Sequence, residues 1–170
     1  MKRMTVLLVL LAITTGCGYH TTARNTNLPQ VHTLAVPTFV NQTQTYRLEQ
    51  ILTSAVVREL TTRTQFKVLH QESPDADATL KAFVVSAQTT PVTYDSVTGR
   101  ASTSLVTVSM KVILVDRSGK VLFEDPNYVF REEYQISSQV SSFFQEEGPA
   151  LDRLSRDFAR SLVSTLLEGF

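Results

Sequence analysis

Two periods run through the apolar positions of the chain. Val106, Val108, Met110, Val112 and Leu114 alternate with Thr107, Ser109, Lys111 and Ile113. A period of two predicts a strand over 104–116 with one buried face. Residues 78–88 alternate in the same way, with Leu80, Ala82 and Val84 on one face and Lys81, Phe83 and Val85 on the other. Asp116-Arg117-Ser118-Gly119-Lys120 reads as a hairpin turn, Gly119 supplying the positive φ. A returning strand starts at Val121–Glu124 and resumes over 128–134. Asp125-Pro126-Asn127 interrupts it. Proline has no amide to give a ladder, so a bulge or an edge break is expected there.

The second period is helical. Leu48, Ile51, Leu52, Ala55, Val56, Glu59 and Leu60 share a face, apolar apart from Glu59 at its edge. Arg47, Gln50, Ser54, Arg58 and Thr61 lie mostly opposite. This predicts a helix over 45–63 with Thr45 as its N-cap. Leu151, Leu154, Phe158, Leu162 and Leu166, widened by Ala159, Val163 and Leu167, predict a second helix. It opens at Pro149, which suits a first turn, and ends near Gly169. The stretch 137–148 before it is polar, with Phe143 and Phe144 embedded.

The remaining segments are short. Val31–Pro37 predicts a first strand closed by Pro37, 39–43 a loop, 65–69 a brief strand and 72–75 a turn. Residues 89–102, with Pro91, Tyr94, Asp95, Gly99 and Arg100, read either as a long loop or as the extended tips of two long strands. A sheet with one apolar face needs a cover, and two amphipathic helices supply it. The expected class is α+β. Two helices pack on one face of a mixed, mainly antiparallel sheet of about four strands, forming a two-layer sandwich. The other face carries Lys81 and Lys111 beside Phe83 and Ile113, and is either solvated or covered by a partner.

The first residues change the picture. Lys2 and Arg3 precede an apolar run from Val6 to Ile13, far short of the ~20 residues a spanning helix needs. Thr14, Thr15 and Gly16 then lead into Cys17, the single cysteine of the 170 residues. This resembles a bacterial lipobox, in which a peptidase cuts before the cysteine and the sulfur takes a diacylglycerol. Thr14 stands where the motif usually has leucine. The alternative is an ordinary signal peptide with a buried cysteine, but one cysteine at that spacing serves no disulfide. The resemblance implies a signal peptide over 1–16 that is removed, lipidation at Cys17, a polar lipidated tether over 17–30 and a single domain over 31–170. Two or more acyl chains make a stable anchor. Gly18, rather than Asp, follows the cysteine, which by the same resemblance directs the protein to the outer membrane.

The chain is formally neutral, and loss of Lys2 and Arg3 leaves 14 basic against 16 acidic residues. Without a basic field, no nucleic-acid partner is expected. His20, His32 and His70 have no metal-ligand spacing, and there is neither a glycine-rich phosphate loop nor a nucleophile elbow. Glu132-Glu133 and Glu146-Glu147 read as solvated charges rather than a carboxylate dyad. No enzyme, metal or cofactor is expected beyond the lipid on Cys17.

Several stretches together resemble one family. Cys-Gly-Tyr at 17–19, Leu-Ala-Val-Pro at 34–37 and Phe-Val-Asn-Gln-Thr at 39–43 come first. Leu-Thr-Ser-Ala-Val-Val-Arg-Glu-Leu at 52–60 and Phe-Lys-Val-Leu at 66–69 follow. Ala-Asp-Ala-Thr-Leu at 76–80, Val-Ile-Leu-Val-Asp-Arg-Ser-Gly-Lys-Val-Leu at 112–122 and the leucine-rich final helix complete the set. Their order and spacing resemble the LptE family of lipopolysaccharide-assembly outer-membrane lipoproteins across essentially the whole mature chain. The resemblance implies an outer-membrane lipoprotein, lipid-anchored in the inner leaflet and facing the periplasm. It would plug an LptD-like β-barrel of the lipopolysaccharide (LPS) translocon, assist that barrel's assembly and bind LPS. The first half alone also resembles the curli-secretion lipoproteins and the penicillin-binding-protein activators. An outer-membrane-anchored periplasmic activator or secretion-pore lipoprotein is therefore the alternative.

LPS carries phosphates, which Arg and Lys bind by charge-assisted hydrogen bonds. Arg100 projects from the 89–102 stretch and comes nearest to the family's basic loop position. Lys111 on the uncovered face and Lys120 at the hairpin turn are lesser candidates. Arg100 is expected to matter most, because a guanidinium meets phosphate bidentately and an ammonium does not.

Overall fold

The computed structural model describes residues 28, 30–136 and 143–168. The leader, Cys17 and nearly all of the tether lie outside the described residues, as does Gly169. The elements are β1 (Thr33–Ala35), β2 (Val40–Asn41), α1 (Leu48–Arg63), β3 (Lys67–Leu69), β4 (Ala78–Tyr94), β5 (Ala101–Asp116), β6 (Val121–Gln135) and α2 (Phe143–Glu168). The sheet order is β3-β1-β4-β5-β6, with β2 also on β4. β1, α1 and β3 form a crossover that leaves β1 and β3 parallel, while β4, β5 and β6 are an antiparallel meander.

The two-layer α+β class is as expected, but the sheet has six strands rather than about four. β3 falls within the brief strand expected over 65–69, whereas β2, at two residues, is too short to show a period. Pro37 does end β1. The chain then resumes beside β4 as β2, Val40 opposite Phe83 and Asn41 opposite Val84, where a loop was expected.

The period-two faces are as read. Leu80, Ala82, Val84, Val106, Val108, Met110, Val112 and Leu114 are buried against the helices. Phe158 of α2 is the centre of this layer, its ring 4.5 Å from Phe130, 5.9 Å from Tyr128 and 6.5 Å from Phe39. Leu28, at the end of the expected tether, is also buried in the core. The bulge near Pro126 is present: the β5–β6 register shifts between Met110 and Val112, opposite Tyr128 and Asp125.

Both helix starts differ from expectation. α1 begins at Leu48, not Thr45, and its N-cap is Arg47 in the left-handed conformation (φ 57°) without a side-chain cap. Thr45 cannot serve because Asn41 ties up the approach. Asn41 Nδ2 donates to the Thr45 carbonyl and to Glu49, and Asn41 Oδ1 accepts from the Thr43 amide and hydroxyl. α2 begins at Phe143, so Pro149 sits inside the helix rather than opening it. Its missing amide falls near enough to the N-terminus that the loss is confined to the first turns.

The helices run side by side in the same direction, both from the tip of the β4–β5 hairpin toward the β5–β6 turn. Arg63 Nη1 reaches Ser164 Oγ at 2.8 Å, and α1 residues Arg47, Gln50 and Ile51 face Asp152 and Arg156 across a groove. α2 is tied to β6 by Arg153 to Glu132 (2.6 Å) and by Tyr128 to Ser161 (2.7 Å).

Candidate functional site

Residues 89–102 resolve into the second of their two readings, the tips of two long strands. β4 runs to Tyr94 and β5 starts at Ala101, leaving a turn of six residues. Every residue from Gln88 to Arg100 is exposed, so the hairpin extends as a ribbon beyond the helices. Thr93 Oγ1 and Ser102 Oγ share a hydrogen bond of 2.8 Å across its end, and the Asp95 amide donates to the Arg100 carbonyl at 2.8 Å.

Asp95 organises the turn. Its carboxylate accepts from the Thr98 amide (2.6 Å), the Thr98 hydroxyl (2.8 Å) and the Val97 amide (3.0 Å). These donors, the Thr98 amide first, hold its pKa below the usual carboxylate value. Gly99 takes the left-handed conformation (φ 66°) and its amide donates to the Asp95 carbonyl. The carboxylate nearest to Arg100 in sequence is thus consumed by the backbone. The Arg100 guanidinium has no ion-pair partner among the described residues.

The surroundings of Arg100 are partly apolar. Val97 is 90% exposed, Tyr94 63% and Val92 48%. The tip therefore offers apolar side chains and one free cation together, a combination suited to an amphiphilic anion. The signal was in the sequence as Val92, Tyr94 and Val97, but without a strand assignment nothing said that these side chains stay in water.

The three candidate cations are not brought together. At ~3.3 Å per residue, β5 separates Arg100 from Lys120 by roughly 50 Å, one at each end of the strand. Lys111 lies between them on the face away from the helices, and its Nζ is 2.9 Å from Glu124 Oε1. Lys81 on the same face is 2.7 Å from Glu72. Lys81 and Lys111 on the open face are therefore already paired with carboxylates. Lys120 contributes its backbone to the β5–β6 turn, where its amide donates to Asp116 Oδ1.

Of the adjacent carboxylates, Glu132 faces α2 and pairs with Arg153, while Glu133 is exposed. The side chains of Glu146 and Glu147 lie outside the described residues. Among the described residues no three of His, Cys, Asp and Glu cluster as metal ligands, and no helix is long and apolar enough to cross a membrane.

Known proteins share this architecture. Lipoprotein B of Nitrosomonas europaea superimposes with a TM-score of 0.56 at 13% identity, over 81% of this chain and 86% of that one. Rare lipoprotein B of Shewanella oneidensis gives 0.50 at 14% identity, over 76% and 95%. The protein CT253 of Chlamydia trachomatis gives 0.51 at 12%, over 82% and 99%. At these identities the likeness is one of fold. A search of curated protein sequences finds no match. The sequence profile of LptE, described as lipopolysaccharide-assembly, matches residues 31–166, from the approach to β1 to the last turns of α2. With the whole folded body matched, the chain belongs to the LptE lipopolysaccharide-assembly family.

Proposed function

We propose that this protein is the lipoprotein component of an outer-membrane LPS translocon. In this reading the leader over 1–16 is removed and Cys17 is acylated. The protein is anchored on the periplasmic side of the outer membrane, and its domain plugs an LptD-like β-barrel, assists that barrel's assembly and binds LPS. It acts by binding, with no catalytic step and no cofactor. The observation that carries the reading is the family match over 31–166. The tip geometry supplies a contact point, since an unpaired guanidinium beside exposed Tyr94 and Val97 fits a phosphate next to acyl chains. Arg100 is the proposed phosphate contact. Lys111, ion-paired, and Lys120, at the far end of β5, stand outside it.

The test is purification of the full chain from outer membranes. A large β-barrel protein in stoichiometric amount is expected, together with a mature N-terminus at Cys17 carrying acyl chains by mass spectrometry. Isolation without a barrel partner, or an unmodified N-terminus elsewhere, overturns the reading.

A further inference from the structure

The outer surfaces of α1 and α2 carry several arginines, and these fall into two groups. Arg63 pairs with Glu59, Arg153 with Glu132 and Arg160 with Asp157. Arg47, Arg58 and Arg156 have no ion-pair partner among the described residues, although the Arg47 guanidinium lies 4.9 Å over the Tyr46 ring, and all three line one groove of about 580 Å³ between the helices. One carboxylate, Asp152, shares it. Cations are thus neutralised around the groove and left in excess within it.

The α1 side is laid out by helix geometry. Gln50, Ser54 and Arg58 are spaced at i, i+4 and i+8, so they form one stripe facing Arg156 on α2, with Arg47 just before the first turn at the end of the groove. Arg47 is also the one non-glycine residue with positive φ among those described. Arginine has no local preference for that conformation, unlike Asn or Gly. The groove floor includes Ile51 and Ala55, too small an apolar surface to seat an amphipathic helix. Its size lies within the range of small-ligand sites, and its donors are guanidinium forks, an amide and a hydroxyl.

From this arrangement we infer that the α1–α2 groove binds a phosphate-bearing anion, gripped by Arg58 and Arg156 with Gln50 and Ser54 as further donors and Arg47 at the groove's end. Guanidinium pairs match phosphate oxygens bidentately, and three of them around one concavity outweigh the single Asp152 charge. The phosphate could be borne by a glycolipid headgroup or be free in solution. The chemistry is the same, and it does not rest on the role proposed for the hairpin tip.

The experiment uses the full chain in dodecyl maltoside micelles, with backbone NMR shifts of Gln50, Ser54, Arg58 and Asp152 as readout. The probes are inorganic pyrophosphate, bisphosphorylated lipid A and dephosphorylated lipid A. Shifts with pyrophosphate and with bisphosphorylated lipid A, but not with the dephosphorylated form, are expected if the groove takes phosphate from either source. Shifts with bisphosphorylated lipid A alone assign it to a headgroup. In either case Arg58→Gln with Arg156→Gln should weaken binding at least ~tenfold, the loss expected for removed charge-assisted contacts. Circular dichroism and melting should be unchanged. Arg160→Gln, outside the groove, should leave the groove shifts intact. The pyrophosphate arm, which involves neither lipid nor barrel, separates this proposal from the translocon reading. No groove shift with any phosphate probe, or shifts that persist in the double variant, overturns the inference. Binding of a poly-glutamate peptide when phosphate fails does so too, and marks the groove as a protein-docking surface instead.

Discussion

The turn at the β4–β5 tip and the turn at the β5–β6 base each begin with an aspartate whose carboxylate collects the amides that follow. Each then passes through a left-handed glycine into a cation. At the tip these are Asp95, Gly99 and Arg100; at the base, Asp116, Gly119 and Lys120. The base turn is also clasped to the rest of the fold. Arg117 donates to the carbonyls of Asp75 and Ala76 and to the carboxylate of Asp77, which in turn accepts the amides of His32 and Thr33. Among the described residues nothing comparable grips the tip. The same local chemistry closes both hairpins, so the turn sequence alone does not distinguish a structural end from a free one. What distinguishes them is Arg117, a base-turn side chain with partners elsewhere in the fold, which among the described residues has no counterpart over 95–100.

The largest expected effect separates body from tip. Phe158 is fully buried among Phe39, Tyr128 and Phe130. Phe158→Ala should cost ~3–5 kcal/mol in denaturant unfolding, the range for a large aromatic deleted from a packed core. Val97→Ala at the tip should stay within ~0.5 kcal/mol, as exposed substitutions do. A tip variant as destabilising as the core variant would show that the ribbon packs on the body after all.

A crossed pair of arginine variants sharpens the contrast. Arg100→Ala should weaken LPS binding ten- to a hundredfold, because a charge-assisted contact contributes ~1.5–3 kcal/mol. Its melting temperature should be unchanged. Arg117→Ala should lower the melting temperature by loosening the base and leave LPS affinity alone. Binding isotherms at two salt concentrations and thermal unfolding of both variants check the cross. The opposite pattern would reassign the two ends.

Much of the base and little of the tip was legible in the sequence. Alternation over 78–88 and 104–116 had a buried face to write it, and Asp-Arg-Ser-Gly-Lys named its own turn. Residues 88–100 have no buried face, so no period marks them as strand, and only the register decides between loop and strand tips. The pairing of Lys111 with Glu124 was hidden because it depends on cross-strand register through a bulge. The αL start of α1 at Arg47 was hidden because the nearby Asn41, not a cap residue, sets it.

Glycine substitutions probe the turns more gently. Gly119 and Gly99 have open space where a Cβ would sit, so alanine there meets only the left-handed backbone penalty, ~1–2 kcal/mol. At the base Gly119→Ala should appear in global unfolding, since the clasp couples the turn to β1 and β4. At the tip Gly99→Ala should appear only as faster amide exchange over 95–100, because local opening there need not disturb the core. Equal global losses would mean that the tip unfolds with the body.

The smallest effect is the response to acid. Asp77, Asp95 and Asp116 all have pKa values below the ordinary 3.8. For Asp77 the main cause is the Thr33 amide, for Asp95 the Thr98 amide and for Asp116 the Ser118 hydroxyl. A folded pKa below the unfolded one means that the folded state prefers the charged form. The stabilisation is complete above about 3.8 and is lost as pH falls through the lowered folded values. No change is expected near neutrality. Below 3.8 the two ends should part: protonating Asp95 frees only the tip amides of Val97 and Thr98, whereas protonating Asp77 and Asp116 loosens β1, β4 and the β5–β6 turn together. Hydrogen exchange measured between pH 5 and 2, corrected for intrinsic rates, should show local acceleration at the tip and sub-global acceleration at the base. Asp95→Asn should bring the tip acceleration up to neutral pH without altering the base. If the base amides accelerated with those of the tip in that variant, the two turns would be one cooperative unit and the division between a structural end and a free end would fail.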